Sequence, residues 1–355
     1  MSNFILKYKA NVKEEKNMGQ IKHGKKINKD LLIAVEKDNY KLILFDLKLK
    51  KKILDISFHK SYITSIHICK KLLYIDNKKI TFSTNSFYFL SSSFDGKFAL
   101  HKISYNDISP DNSNYKLIAQ GIPTKDELNS VIQIENGQIL VAARDQRVIL
   151  FDNKIQNGKF VKLFEIKKKW PMEATSVFEI RNNLIGVPWK FDDAEKDYTI
   201  KDIKMIHRNH LNDGIYIYLI SKDRIIQKKI LNCKRFARGL CYKPYFAMED
   251  KLILGTFDYI FIYKLNTFET MFKLSTKNLR LCNIYPFNEK NFILFEREGS
   301  KAKFILYNIN TMKDVQTIEI NAKGNEFDLF PISNNEFIFH NLIITIDDKN
   351  IKYIE

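Results

Sequence analysis

An all-β fold is what this sequence predicts, and three observations carry the prediction. Short apolar runs alternate with brief polar turns from end to end. No stretch keeps a long amphipathic helical period. One pattern also recurs: an apolar residue, a short turn of Asn, Asp, Glu or Lys, then an apolar strand.

The copies run in order. They are "INKDLLIAV" from Ile27, "FSTNSFYFL" from Phe82, "IENGQILVA" from Ile134 and "IRNNLIGVP" from Ile180. "AMEDKLILG" from Ala247, "FNEKNFILF" from Phe287 and "ISNNEFIFH" from Ile332 follow. Each reads as a hairpin, with one strand entering and one leaving. A third strand usually comes next, as in "KLILFDL", "KFALHKI", "RVILFDN", "YIFIYKL" and "KFILYNI". A fourth is visible in "KKILDIS", "VKLFEI", "TMFKLS" and "VQTIEI". The repeat is therefore about four strands long and recurs on the order of every 40 to 55 residues.

Many of these strands are apolar on both faces, as in "LLIAV", "YIFIY" and "NLIITI". A strand covered on one side only should alternate. Stacking four-stranded sheets radially covers both sides and leaves short, protected edges. About seven such units fit the 355 residues,. The expectation is a seven-bladed β-propeller of four-stranded antiparallel blades, one domain over residues 1–355.

The elements follow from this scheme. "NFILKYKA" near the start reads as a strand. Residues 3–10 are expected to pair into the last unit and close the ring, or to form the inner strand of the first unit; closure removes open edges. In "FLSSSFDGKFALHKI", residues 89–103, Asp95-Gly96 reads as a two-residue hairpin turn, because Gly supplies positive φ cheaply,. "SYNDISPDNSNY", residues 104–115, is a polar loop between the third and fourth strands of the second unit,. Residues 190–214 form a longer insertion between the second and third strands of about the fourth unit. An insertion of that length inside a compact repeat is usually functional or mobile.

"FLSSSFDGKFALHKI" resembles the second-and-third-strand signature of WD-repeat β-propellers. Ser91 and Ser93 match its serines, Asp95-Gly96 its turn, and His101-Lys102 stand where Trp-Asp would be. "LVAARDQRVILFD" is similar at the same spacing, with Asp145 in the turn and Phe151-Asp152 at the Trp-Asp place. Phe45-Asp46, Tyr263-Lys264 and Tyr307-Asn308 end other third strands. His59 in "ISFHKSYITSI" resembles the histidine ahead of a first strand. The resemblance implies a structural hydrogen-bond network within a blade, here drawn from His59, Ser91, Ser93 and Asp95. His101-Lys102 then read as a loss of the family's Trp-Asp. The resemblance also places the loop of residues 190–214 on a face where partners dock.

Chemistry is sparse. No phosphate-binding loop, dinucleotide fingerprint, nucleophile elbow or zincin motif is present,. "HRNHLND" brings His207, His210 and Asp213 close in sequence, but without the spacing or partners of a zinc site it reads as a solvated loop,. Neither a catalytic residue nor a cofactor or metal site is expected. Asp192 and Asp193, with Glu195 and Asp197, offer an electrostatic contact for a basic partner. Trp170, Trp189 and Phe191 stand at strand-to-loop junctions as candidate interface anchors; the competing reading packs them between blades.

The net charge is +17, with 58 Lys and Arg against 41 Asp and Glu. Lys48 and Lys50 to Lys52, Lys167 to Lys169, and Lys228, Lys229, Lys234, Arg235 and Arg238 concentrate it. All fall near outer strands, where lysine blocks edge-to-edge pairing. The alternative is a phosphate-tracking surface through Lys50, Lys51, Lys167, Lys168, Arg235 and Arg238, if these converge. An AT-rich coding bias toward Lys, Asn, Ile, Phe and Tyr would produce the same excess. "RFARG" is similar to the paired-arginine motif of phosphoinositide-binding propellers, but Ala237 separates the two arginines.

The four cysteines are scattered, which reads as reduced thiols,. Neither a cleavable leader nor an apolar run of membrane-spanning length is evident, so a cytoplasmic location is expected, with the nucleus as alternative. The function expected is a non-enzymatic scaffold, monomeric within a complex, that presents loops to partner proteins. An RNA-binding component is the first alternative and a phosphoinositide-binding propeller the second.

Overall fold

The computed structural model describes residues 21–36, 40–49, 51–83, 85–106, 110–168, 172–191, 214–221, 224–232, 245–255, 259–275, 283–298, 301–321, 329–331, 336–339, 342–346 and 351–354. Among them the chain is all-β, built of antiparallel sheets, with no α-helix and a single 3-10 turn at Pro110–Asn112. Among the described residues no helix is long and apolar enough to cross a membrane.

The first meander runs β1 (Ile21–Lys26), β2 (Leu31–Glu36), β3 (Leu42–Asp46) and β4 (Lys51–Ile56), each antiparallel to the next. β5 (Ile63–Cys69) opens a second. A short hairpin, β6 (Tyr74–Ile75) and β7 (Lys78–Lys79), precedes its β8 (Ser86–Ser93), β9 (Phe98–Ser104) and β10 (Asn114–Gly121). β11 (Leu128–Gln133), β12 (Ile139–Ala143), β13 (Arg147–Gln156) and β14 (Lys159–Lys167) form the next meander. One parallel bridge, Gln120 to Lys159, joins these two into the largest sheet.

β15 (Met172–Ala174) and β16 (Phe178–Arg181) both pair with β17 (Leu184–Phe191), which leads to β18 (Gly214–Ile220) and β19 (Ile225–Asn232). β20 (Tyr245–Met248), β21 (Lys251–Gly255), β22 (Tyr259–Lys264) and β23 (Thr270–Ser275) follow. Then come β24 (Asn283–Asn288), β25 (Asn291–Glu298), β26 (Lys301–Asn308) and β27 (Asp314–Asn321). β28 (Leu329–Pro331), β29 (Glu336–Phe339), β30 (Leu342–Ile346) and β31 (Ile351–Ile354) make the last meander.

Polar turns reverse the chain as their side chains dictate. Asn28 Oδ1 accepts from the amides of Asp30 and Leu31, each at 2.9 Å, and so closes the turn into β2,. Asn182 and Asn183, both at positive φ, carry the chain from β16 into β17,.

The core lies between sheets, and this explains the doubly apolar strands. Leu31, Ile33 and Val35 of β2 pack with Ile63, Ile66, Phe87 and Phe89 of the second meander. The intervening Leu32 and Ala34 face the other way, with Ile43 and Phe45. β12 does the same. Ile139, Val141 and Ala143 join the second meander's core, while Leu140 and Ala142 pack with β15 and β17 residues. Successive strand residues point to opposite faces, so each sheet feeds two cores. Further cores join β16–β19 to β21–β22 and β20–β22 to β24–β26.

Two expectations change. β1, Ile21–Lys26, takes the first position in the first meander, which one alternative gave to residues 3–10; residues 3–10, and with them the expected pairing into the last unit, lie outside the described residues. The partner entering β8 is β5, not the residues just after Phe82, where only an isolated bridge from Ser83 to Ser86 forms. The intervening residues build the β6–β7 hairpin instead. It crosses to the neighbouring meander, where β6 runs parallel to β13 and Asp76 Oδ1 accepts from the Asn157 amide at 2.8 Å. The insertion lies where expected, between β17 and β18, with Trp189 opposite Gly214. Its residues 192–213 are outside the described set.

Gly137 lets the hairpin's approach segment come close. It holds φ +86, and a Cβ there would stand 2.1 Å from the Leu72 carbonyl oxygen. Gly158, at φ +70, has its nearest neighbour at 3.6 Å. Gly158→Ala is therefore expected to cost only backbone strain, about 1 kcal/mol. Gly137→Ala should cost at least about 2 kcal/mol more, because rigid backbone must shift. Urea midpoints of the two variants check this; equal losses would remove the close approach from the account.

Candidate functional site

The turn between β8 and β9 organises the most elaborate polar cluster among the described residues. It is longer than the two-residue reversal expected. The Ser93 amide donates to the Lys97 carbonyl at 3.1 Å, with Phe94, Asp95 and Gly96 between, and Gly96 sits at φ +75. This three-residue form, with Gly in the left-handed position, places Asp95 beside the segment that enters β5. Asp95 Oδ2 accepts from the Lys60 amide at 2.9 Å and Oδ1 from the Lys97 amide at 3.0 Å.

A chain of hydrogen bonds leads inward from Asp95. His59 Nδ1 lies 3.2 Å from both Asp95 oxygens, and His59 Nε2 is 2.7 Å from Ser91 Oγ. Ser91 Oγ also lies 2.7 Å from His101 Nε2, and His101 Nδ1 is 3.1 Å from Tyr115 Oη. Ser91 and His101 are fully buried and His59 nearly so. Phe89 stacks on the His101 ring at 4.6 Å, and Phe58 meets both imidazoles edge-on.

One set of proton positions satisfies every member. Ionised Asp95 accepts from Nδ1–H of His59. Neutral His59 then accepts the Ser91 hydroxyl at Nε2. Ser91 Oγ accepts from Nε2–H of His101, whose Nδ1 accepts the Tyr115 hydroxyl.

Burial pushes the Asp95 carboxyl up, but bonds from His59 and the Lys60 and Lys97 amides outweigh it and hold it at about 2,. Burial, with the His59 charge second, pushes His101 well below the usual imidazole range. Burial lifts the Tyr115 phenol to about 12.

An acid, an imidazole and a hydroxyl in line have the connectivity of a serine-hydrolase triad. Ser91 is fully buried, however, and its oxygen is gripped by imidazoles on both sides. No substrate carbonyl reaches it in this arrangement. What the cluster does is fasten β5's approach segment, β8, β9 and β10 together.

Of the network residues expected from the sequence, His59, Ser91 and Asp95 lie on this chain. Ser93 serves the turn instead: its Oγ donates to the Ser61 carbonyl and accepts from the Asp95 amide, both at 3.1 Å. His101 is no simple loss, since it occupies the fourth link of the chain. Its signal in the sequence was a polar residue at an inward position of "KFALHKI". Tyr115, across the 104–115 loop, gave none.

The expected partner anchors fare differently. Trp189 is fully buried, so it is not an exposed anchor. Ile185, Val187 and Trp189 share the face of β17 that packs into one core with Tyr216 and Tyr218. Phe191 ends β17 opposite Met172. Trp170, Asp192 and Asp193 lie outside the described residues, as do His207, His210 and Asp213. No group of His, Cys, Asp or Glu able to hold a metal occurs among the described residues.

Of the expected basic surface, Lys51, Lys167 and Lys168 are described, and they stand apart. Lys51 begins β4 and pairs with Asp111 at 2.8 Å, while Lys167 ends β14 two meanders away. Lys168 turns inward over Tyr216, at 3.8 Å from the ring centroid, and Trp189, at 5.4 Å. Burial lowers its amine to about 8. Lys50, Arg235 and Arg238 lie outside the described residues. No protein-family model matches the chain, and no curated protein matches it.

The linkage sign of the chain is set by His101 and Asp95. An unfolded His101 takes a proton below about pH 6.5 that the folded one refuses. Stability therefore falls as pH drops through that range, and Asp95 adds a further loss as pH falls from about 4 toward 2,. His101→Phe is expected to lower stability at pH 7.5 by about 1–3 kcal/mol, because Ser91 and Tyr115 lose a partner. It should also flatten the pH dependence between 7 and 5. Thermal midpoints across that range check both; an unchanged slope in the variant would contradict the assignment.

Proposed function

We propose that this chain is a seven-bladed WD-repeat-like propeller acting as a non-enzymatic protein-interaction scaffold. The observation that carries the reading is the way successive meanders share cores while their inner strands come into contact. β1 lies against β5, β5 against β11, β16 against β20 and β20 against β24. β1 also lies against β28 of the last meander. Leu32, Ala34, Ile43 and Phe45 support the same reading. They are buried, yet they face away from the second meander, so a further layer covers them.

The sealed chain from Asp95 to Tyr115 fits a role in holding one blade together. On this reading the working surfaces are the loops at the ends of the strands, above all residues 190–214. A stiff ring presents them without a large ordering cost on binding.

Affinity purification with and without nuclease tests the reading. Intact chain is expected to retain protein partners after nuclease treatment. Replacing residues 192–213 with a short Gly-Asn linker should remove some of them while shifting the thermal midpoint little. Recovery that is nuclease-sensitive for every partner would overturn it.

A further inference from the structure

The β6–β7 hairpin carries an outer face that the scaffold reading does not use. Tyr74 stands opposite Lys79 on β7 and opposite Lys154 on β13. The next residue, Ile75, stands opposite Lys78 and Ile155. Ile155 is fully buried and Ile75 packs against the same core, so that side of the ribbon turns inward. Since strand residues alternate, Tyr74, Lys79 and Lys154 lie on the outward side.

β14 extends this side. Phe160, opposite Ile155, packs into the same core, while Lys159 lies opposite Gln156, one residue out of phase. Lys159 is therefore outward as well. Neighbouring strands lie about 4.8 Å apart, so Lys79, Tyr74 and Lys154 make a row roughly 10 Å across, with Lys159 on the strand beyond.

The row differs from several other surface lysines, which are held in ion pairs. Lys51 is paired with Asp111, Lys52 with Asp55, Lys71 with Glu135 and Lys162 with Glu165. Among the described residues Lys79, Lys154 and Lys159 are exposed and none is in an ion pair. The nearby carboxylates are engaged: Asp76 holds the Asn157 amide and Asp152 the Asn153 amide. Tyr74 is partly exposed, with neither a hydrogen bond nor a ring contact.

An aromatic ring flanked by cations on a flat sheet is the arrangement that stacks an unpaired base and holds the phosphates beside it. We propose that this row binds single-stranded nucleic acid. A base stacks on Tyr74, Lys79 and Lys154 hold the phosphates on either side, and Lys159 continues the track. A duplex keeps its bases stacked away from such a ring. An anionic membrane would use the lysines and leave the ring idle. The positive charge of the whole chain would speed encounter with any polyanion. None of this depends on the scaffold reading.

The test is fluorescence anisotropy on the purified chain with a labelled oligouridylate of about 12 nucleotides. A duplex of equal length and phosphatidylserine vesicles serve as competitors. Binding is expected to weaken linearly in log–log terms with salt, and Lys79→Ala, Lys154→Ala and Lys159→Ala should each reduce the slope by about 0.7. Tyr74→Ala should weaken binding on the order of tenfold or more, and Tyr74→Phe should not. Lys51→Ala should leave it unchanged. All these side chains are on the surface, and an unaltered thermal midpoint verifies that the variants fold. Absent binding at low salt, a Tyr74→Ala chain that binds as tightly as the original, or competition by duplex or vesicles equal to that by unlabelled single strand would each overturn the proposal.

Discussion

Many of the strands inside each meander are apolar on both faces, and the packing follows from that. A sheet of such strands is stable only between two others. Leu31 and Leu32 are adjacent, equally buried, and belong to different cores. The same division runs through Leu140 and Val141 of β12 and through Leu252 and Ile253 of β21. Full burial of a Leu or Ile side chain is worth about 1.5–3 kcal/mol relative to exposure, so leaving one face of a meander open costs an amount comparable to a domain's net stability. A stack with two ends must cap them; a stack that returns on itself has none. The contact of β1 with β28 is what such a return requires.

Polar groups within this apolar stack must be satisfied locally, and the second meander shows how. Five side chains from Asp95 to Tyr115 pass hydrogen bonds from the surface turn to an outer strand. Burial keeps a charge off His101 within this chain of bonds. The chain fixes the angle at which the first meander's exit enters the second. Elsewhere the junctions are made by other means: the Lys168 ammonium covers the aromatic end of the core around Trp189, and the β6–β7 hairpin reaches over to β13.

Much of the fold was legible because short runs apolar on both faces, set off by polar turns, are written in the residues themselves,. The hairpin turns were legible through Asn28 and Asn136-Gly137, and three links of the hydrogen-bond chain through His59, Ser91 and Asp95. The misses have physical reasons. Trp189 beside a long insertion suggests an interface anchor, yet counting by twos from Ile185 puts it inward. Lys167 and Lys168 read as one basic run, but neighbours along an extended chain point apart, one to solvent and one over Tyr216. His101 read as a lost tryptophan because a signature records identity and not hydrogen-bonding capacity. The Lys79–Tyr74–Lys154 row was invisible, since it depends on a parallel pairing between strands far apart in sequence.

Closure of the stack requires the last meander to cover the first. Amide hydrogen exchange on the full chain and on a chain ending at residue 328 is the test of that cover. Removing β28–β31 should strip the cover from Leu32, Ala34, Ile43 and Phe45 and markedly speed exchange in β2 and β3, while β12 and β13 keep their protection. Unchanged protection of β2 and β3 in the shortened chain would contradict the closed arrangement.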